Sequence, residues 1–436
     1  MATRNERLDE LPVTHQHRRM LGIAGIGWAL DAMDIGLISF VMAALTIHWH
    51  LSPTEISLLG SIGFLGMAFG ATLGGLLADR FGRRNIFAFS MLVYGIATGA
   101  SALATSLIIL LIFRFIVGIG LGAELPVAST YISEFSPRNV RGRMVVLLEA
   151  FWALGWILAA IIGTTIVTSS EQGWRWALAL GTIPALYSMV IRRGLPESVR
   201  FLELRGRHNE AETIVRKFEQ SAAKLIPKTQ PPAKTPEHTD IASQSIWSQP
   251  LRTRTAALWT IWFCINLSYY GAFIWIPSIL VAQGFDLIRS FQFTLIITLA
   301  QLPGYACAAY FIEHWGRRAT LTTFLIGSAL AAACYGMATT PITIIAAGCL
   351  LSFFNLGAWG ALYAIGPELY PTALRGSGTG AAAGFGRIAS IIAPLIVPPL
   401  LVFGGSPLLF ALFGVSFLIA AFASWLLPEH KQQALH

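Results

Sequence analysis

The sequence predicts an all-α membrane protein with twelve transmembrane helices in two six-helix halves. Composition, the spacing of apolar runs and a motif set repeated at one fixed offset predict it. Of 436 residues, 55% are hydrophobic and 12% charged, where a soluble domain carries about a quarter charged. Mean hydropathy is +0.64. Apolar runs of about twenty residues recur, each long enough for a hydrocarbon core of about 30 Å.

Residues 1–19 are polar, end in His17-Arg18-Arg19 and precede no small-residue cleavage site. The first apolar run is therefore read as a retained span rather than a signal peptide. Spans are expected near 20–46, 55–79, 86–104, 107–133, 142–169 and 174–192, then near 254–283, 289–312, 319–338, 341–368, 376–402 and 407–427. Lipid offers no partner to a free backbone amide, and no alternating barrel pattern is present, so the runs are helices. The expected division is a cytoplasmic N-terminus (1–19), an N-terminal bundle (20–192), a cytoplasmic linker (193–252), a C-terminal bundle (253–428) and a cytoplasmic C-terminus (429–436). Residues 197–220 have helical spacing with mixed charge, whereas 224–249 read as a flexible connector.

Basic residues orient the chain. Arg18, Arg19, Arg80, Arg83, Arg84, Arg138, Arg141, Arg143, Arg192, Arg193, Arg317, Arg318 and Arg375 fall on one side, with only Arg175 and Arg289 opposite. Both termini are expected inside the cell, in the plasma (inner) membrane. Topology accounts for the net charge of +8, so no nucleic-acid partner is expected. Cys264, Cys307, Cys334 and Cys349 lie within apolar runs at no metal-ligand spacing, so they read as reduced packing residues. Neither a metal nor a cofactor is expected, and the chain is expected to be a monomer. An enzyme is disfavoured, since no nucleophile–base pair or phosphate loop appears.

Two motifs repeat. Asp79 followed by Gly82-Arg83-Arg84 matches Glu313 followed by Gly316-Arg317-Arg318, and Glu134 with Arg141-Gly142 matches Glu368 with Arg375-Gly376. Both pairs share one offset, 234 positions, so six helices have been duplicated. Parallel halves with a path between them are a transporter architecture. Acids at helix ends facing arginines of neighbouring ends would form a gate latch on the cytoplasmic side. Together with Pro196-Glu197-Ser198, these loops resemble the major facilitator superfamily, on its sugar-porter and organic-ion side.

Charges inside lipid are costly and mark function. Asp31 and Asp34 share one helical face, three residues apart; Arg114 and Glu124 lie in span four, and Glu149 opens span five. In proton-coupled sugar porters an Asp matching Asp34 pairs with an Arg matching Arg114. That resemblance implies proton release and uptake at Asp34, gated by Arg114, and Glu124 joins the proton-coupling set as the acid within span four. Trp28, Trp152, Trp156, Tyr269, Tyr270, Trp275, Trp359 and Tyr363 form an aromatic excess suited to a flat solute. Arg387 stands alone in an apolar helix, and its fork can clamp a carboxylate. Asp31, Glu149, Gln301 and Asn355 complete the candidate substrate-binding set.

The amides with which hexose porters read hydroxyls are replaced here by tryptophans and an acid, and span five lacks the proline of drug antiporters. The strings at 27–36, 122–130, 148–156, 300–305 and 352–360 resemble bacterial niacin permeases within the superfamily. That resemblance implies import of nicotinate with protons. A symporter of a benzoate-like aromatic anion is the alternative, ahead of a drug or metabolite efflux antiporter.

Overall fold

The computed structural model describes residues 3–137, 140–223, 245–249, 251–366, 369–370 and 374–428. Glu368 and the 224–244 connector lie outside that description, as do the side chains of Asp79, Glu313 and Arg375. The described residues are helical and contain no strand.

A short helix α1 (Arg4–Asp9) precedes the first crossing. The first half comprises α2 (His15–His48), α3 (Pro53–Phe81), α4 (Arg83–Ser101), α5 (Leu107–Phe135), α6 (Arg141–Thr165) and a broken sixth crossing, α7 (Gly173–Leu180) with α8 (Ile183–Gly194). Next come α9 (Val199–Leu204) and α10 (His208–Ala223). The second half opens with α11 (Arg252–Phe273) and α12 (Ile276–Ala282), bent by 45°. It continues through α13 (Leu287–Leu299), α14 (Gln301–His314), α15 (Arg317–Gly336), α16 (Pro341–Ile365) and α17 (Arg375–Ser424).

Eight candidate spans among the described residues are long and apolar enough to cross a bilayer unaided; geometry supplies the rest. The 50 residues of α17 would extend about 75 Å, more than twice a hydrocarbon core. Gly405, at φ 64, breaks it into two crossings. The pairs α7–α8 and α11–α12 are each one crossing interrupted just before a proline, Pro184 and Pro277, which pre-sets the next helical turn. With α4, whose polar residues dilute its hydropathy, the crossings number twelve.

Duplication is visible in the backbone. Gly82 and Gly316 take nearly identical left-handed values, φ 98 and 99, one residue before α4 and α15. The starts of α4, α5 and α6 recur at α15, α16 and α17 with the same offset as the motifs. Pairings recur as well: α2 on α6 and α3 on α5 correspond to α11 on α17 and α14 on α16. Between halves, α3 packs on α17 and α6 on α13. Close approach within the first half needs glycine: a Cβ at Gly70 would sit 2.0 Å from the Ile119 carbonyl oxygen, and one at Gly118 2.0 Å from that of Gly63. Small residues replace the hydrophobic drive that lipid cannot give.

On the arginine-rich face, Glu197 caps α4. Its Oε1 accepts from the backbone N–H of Arg84 at 3.1 Å and of Ser198 at 2.9 Å, satisfying free donors at a helix start. The Tyr131 hydroxyl donates to the Pro196 carbonyl at 2.7 Å, which holds the 196–198 motif against α5. The sequence reading missed α1, although Thr3 and Glu6 form a capping box. Arg4 reaches Glu203 at 3.1 Å and Glu212 at 3.0 Å; Arg7 reaches Glu212 at 2.9 Å and Glu219 at 2.8 Å. Asp9 pairs with Arg141 at the start of α6.

Two outcomes follow for this face. A Cβ at Gly82 would lie 2.5 Å from the Glu197 carboxylate, whereas one at Gly206, φ 71, meets open space. Gly206→Ala is expected to cost only its backbone strain, about 1–2 kcal/mol, and Gly82→Ala distinctly more, read by thermal unfolding in detergent. Arg7, then Arg216, hold Glu212 down at about 2 against its ordinary 4.5. A depressed carboxylate contributes fully above its ordinary value and is lost as pH falls through the folded one. Protection of α1 from protease is therefore expected to hold above about 4.5 and fail toward 2, with high salt weakening it at any pH.

Candidate functional site

Trp28, Asp31 and Asp34 follow one another at intervals of three along α2, the most buried candidate span. Asp34 is fully buried and paired: its Oδ2 accepts from Arg114 Nη1 at 3.1 Å and its Oδ1 from the Thr98 hydroxyl at 2.6 Å. A void of about 10 Å³ beside Arg114, lined by Ile35, Gly63 and Phe64, is about one water in size. Asp31, one turn earlier, faces Glu124 of α5 and Tyr94 of α4. Neither carboxylate has a hydrogen bond of good geometry, and both are buried.

The aromatic residues meet where the halves meet. Trp152 donates from Nε1 to the Tyr269 hydroxyl across the interface at 3.0 Å. Ring centroids lie 6.3 Å apart for Trp28–Trp152, 5.8 Å for Trp156–Tyr269 and 5.2 Å for Tyr269–Trp359. Tyr270 packs on Phe64 of the other half at 4.6 Å. Arg387 Nη1 approaches the Tyr270 hydroxyl at 3.5 Å and lies in the electrostatic range of Glu149, yet the two form no salt bridge. Glu149 neighbours Trp28 and is buried, with Oε1 unpartnered.

Gln301 and Asn355 are fully buried and their amide atoms have no partner of good geometry. Gln301 sits beside Tyr269. One residue absent from the expected aromatics joins the site: Tyr305, with an unpartnered hydroxyl, which like Tyr363 lies within electrostatic reach of Glu149. Trp262 packs on Trp359 and Tyr363 at 5.9 and 5.2 Å. Their sequence signal was only the general aromatic excess; nothing in spacing separated these rings from packing residues. The rings thus gather between the halves, with the Arg387 guanidinium and the Glu149 carboxyl in electrostatic reach of the same tyrosines and the Gln301 amide beside Tyr269.

Of the expected gate residues, Arg83 reaches Glu134 at 3.7 Å, and Ser198 donates its hydroxyl to the other Glu134 oxygen. Arg141 is engaged with Asp9 and with the Ser136 carbonyl at 3.3 Å. These contacts lie within the first half. Arg317 follows the Gly316 turn that corresponds to Gly82. The Asp79, Glu313 and Arg375 side chains and Glu368 lie outside the described residues.

Two helical halves around a polar-lined aromatic interface define a polytopic membrane transporter rather than an enzyme. The chain belongs to the major facilitator superfamily: the family model for sugar (and other) transporters matches residues 23–436. It is 44% identical to the niacin transporter NiaP of Acinetobacter baylyi, over 98% of this chain and 97% of that one. A Bacillus subtilis relative, whose name provisionally assigns it niacin/nicotinamide transport, is 42% identical over 95% and 97%. Among solved structures, the partially occluded inward-open xylose transporter XylE from E. coli superposes with a TM-score of 0.76 at 20% identity, covering 96% and 99%.

Removing one partner of a buried ion pair strands the other charge. Arg114→Ala is expected to cost about 3–5 kcal/mol. The double variant Asp34→Asn/Arg114→Gln is expected to cost less, as read by thermal unfolding in detergent.

Proposed function

We propose that this chain imports nicotinate into the cell by alternating access, together with protons. The observation that carries it is Arg387, which meets the Tyr270 hydroxyl beside a cluster of tilted rings and forms no ion pair with a carboxylate among the described residues. A guanidinium fork takes a carboxylate bidentately, and the rings of Trp152, Trp156, Tyr269 and Trp359 accommodate a pyridine. Glu149 or Asn355 meets the ring nitrogen. The names of the two niacin-transporting relatives support the same substrate.

The arginine-rich face is cytoplasmic in this reading, with both termini and the 193–252 segment on that side of the plasma (inner) membrane. Residues 20–192 and 253–428 are the two moving bundles. Proton coupling acts through the buried carboxylates of α2 and α5, with Asp34 and Arg114 as the ion pair that senses the transport cycle. The latch is formed by Arg83 with Glu134 in the first half and by Glu313, Arg317, Glu368 and Arg375 in the second. Asp79 and Arg141 belong to the same set.

Labelled nicotinate uptake by cells lacking their own importer tests the reading. Saturable uptake that an uncoupler abolishes and benzoate does not inhibit is expected. Benzoate uptake with equal efficiency would replace nicotinate by a broader aromatic anion, and uptake indifferent to the uncoupler would remove the proton. Arg387→Ala is expected to lower uptake about tenfold or more, the worth of a charged hydrogen bond. Unchanged uptake in that variant would sink the carboxylate clamp.

A further inference from the structure

Three acids are buried along α2 and α5, and only one of them has a cation. Asp34 is neutralised by Arg114 at 3.1 Å. Asp31 and Glu124 are 1% and 0% exposed and face one another, and neither pairs with any arginine, lysine or histidine among the described residues. The Tyr94 hydroxyl, fully buried and unpartnered in good geometry, points at the same pair. The other titratable groups around it are Asp34 on α2, Arg114 on α5, already committed to Asp34, and Glu149 on α6, which lies toward Trp28. From α8, the packed ring is Tyr187, bonded to the Ile23 carbonyl at 3.0 Å.

Two carboxylates in contact in a dry site cannot both stay ionised; such a pair holds a shared proton. We infer that Asp31 and Glu124, with Tyr94 as hydrogen-bond donor, are the exchangeable proton site of this transporter, and that the Asp34–Arg114 pair beside them is a positioning ion pair. The pair holds one proton at rest. It takes a second from hydronium on one side of the membrane, forming one O–H bond on the remaining carboxylate and leaving water, and releases that proton to water when the opposite side opens.

Linkage to substrate runs along α2. Trp28, one turn before Asp31, packs on Trp152 and neighbours Glu149 in the chamber. The Glu124 carboxylate lies against Gly27, 3.6 Å from where a Cβ would stand. A small rotation of α2 as the chamber closes therefore moves the aromatic wall and the proton site together. This step rests on the nicotinate reading, whereas the shared proton does not.

The test has two arms on the full chain reconstituted in lipid. Infrared spectroscopy at neutral pH reads protonated buried carboxyls without any substrate. The double variant Asp31→Asn/Glu124→Gln is expected to lose part of that band, and Asp34→Asn to keep it; an unchanged band in the double variant overturns the proposal. Nicotinate added to weakly buffered protein with a pH dye is expected to draw protons from solution in the native chain. The single variant Glu124→Gln, nearly isosteric and checked by its thermal unfolding, is expected to lose this uptake. Native-level proton uptake in that variant overturns the coupling role. A native chain with the infrared band but no response to nicotinate would defeat the substrate reading alone, and the band would still decide the proton site.

Discussion

A carboxylate inside a bilayer must find either a cation or a proton, and this constraint organises the molecule. An unpaired charge buried in a low-dielectric interior costs several kcal/mol. The first half buries four acids, and its helices are arranged to settle each differently. Arg114 meets Asp34; Asp31 and Glu124 meet one another; Glu149 makes no ion pair and lies only within electrostatic range of Arg387 across the interface between the halves. Because Arg387 comes from the other half, the settlement of Glu149 depends on how the halves sit. The other three acids are settled within one half.

That arrangement demands close helices. Arg114 and Glu124 both ride on α5, and both must reach α2. On its other side α5 packs closely on α3, where Cβ atoms at Gly70, Gly118 and Gly122 would clash near 2 Å. The helix starts on the arginine-rich face are fixed by the same economy. Gly82 at φ 98 turns the chain tightly enough for Glu197 to take a backbone N–H at the start of α4. A carboxylate there satisfies both a free donor and the positive end of a helix dipole, so the 196–198 segment ties the end of the bundle to its middle.

The fold was legible because its signals are long and repeated. Twenty-residue apolar runs state the spans, and one offset shared by Asp79–Glu313 and Glu134–Glu368 states the duplication. The backbone then repeats the offset in Gly82 and Gly316. Partners inside the site were less legible. Spacing puts Asp31 and Asp34 on one face of α2 and suggests that they act on each other, but it says nothing about neighbouring helices. In the structure Asp34 is taken up by Thr98 and Arg114, while Asp31 meets Glu124 from α5. Tyr305 carries no local mark that separates it from packing rings. The α1 helix is short and polar, and its stability comes from Glu203, Glu212 and Glu219, some two hundred residues away.

The interface between the halves carries a polar cost of its own. Gln301, Asn355 and Tyr305 present buried polar atoms with no protein partner of good geometry, and each such group costs about 1–3 kcal/mol. A wall that satisfied them internally would be more stable and would bind less. Opposing this cost, Trp152 donates to Tyr269 across the interface, and Phe40 packs edge-on against Phe291 at 4.9 Å between the same halves. One hydrogen bond and a ring contact are worth about 0.5–1.5 kcal/mol each, no more than the polar cost they oppose. The contact between the halves is therefore weakly held by these groups, and a change at any one of them is large on that scale.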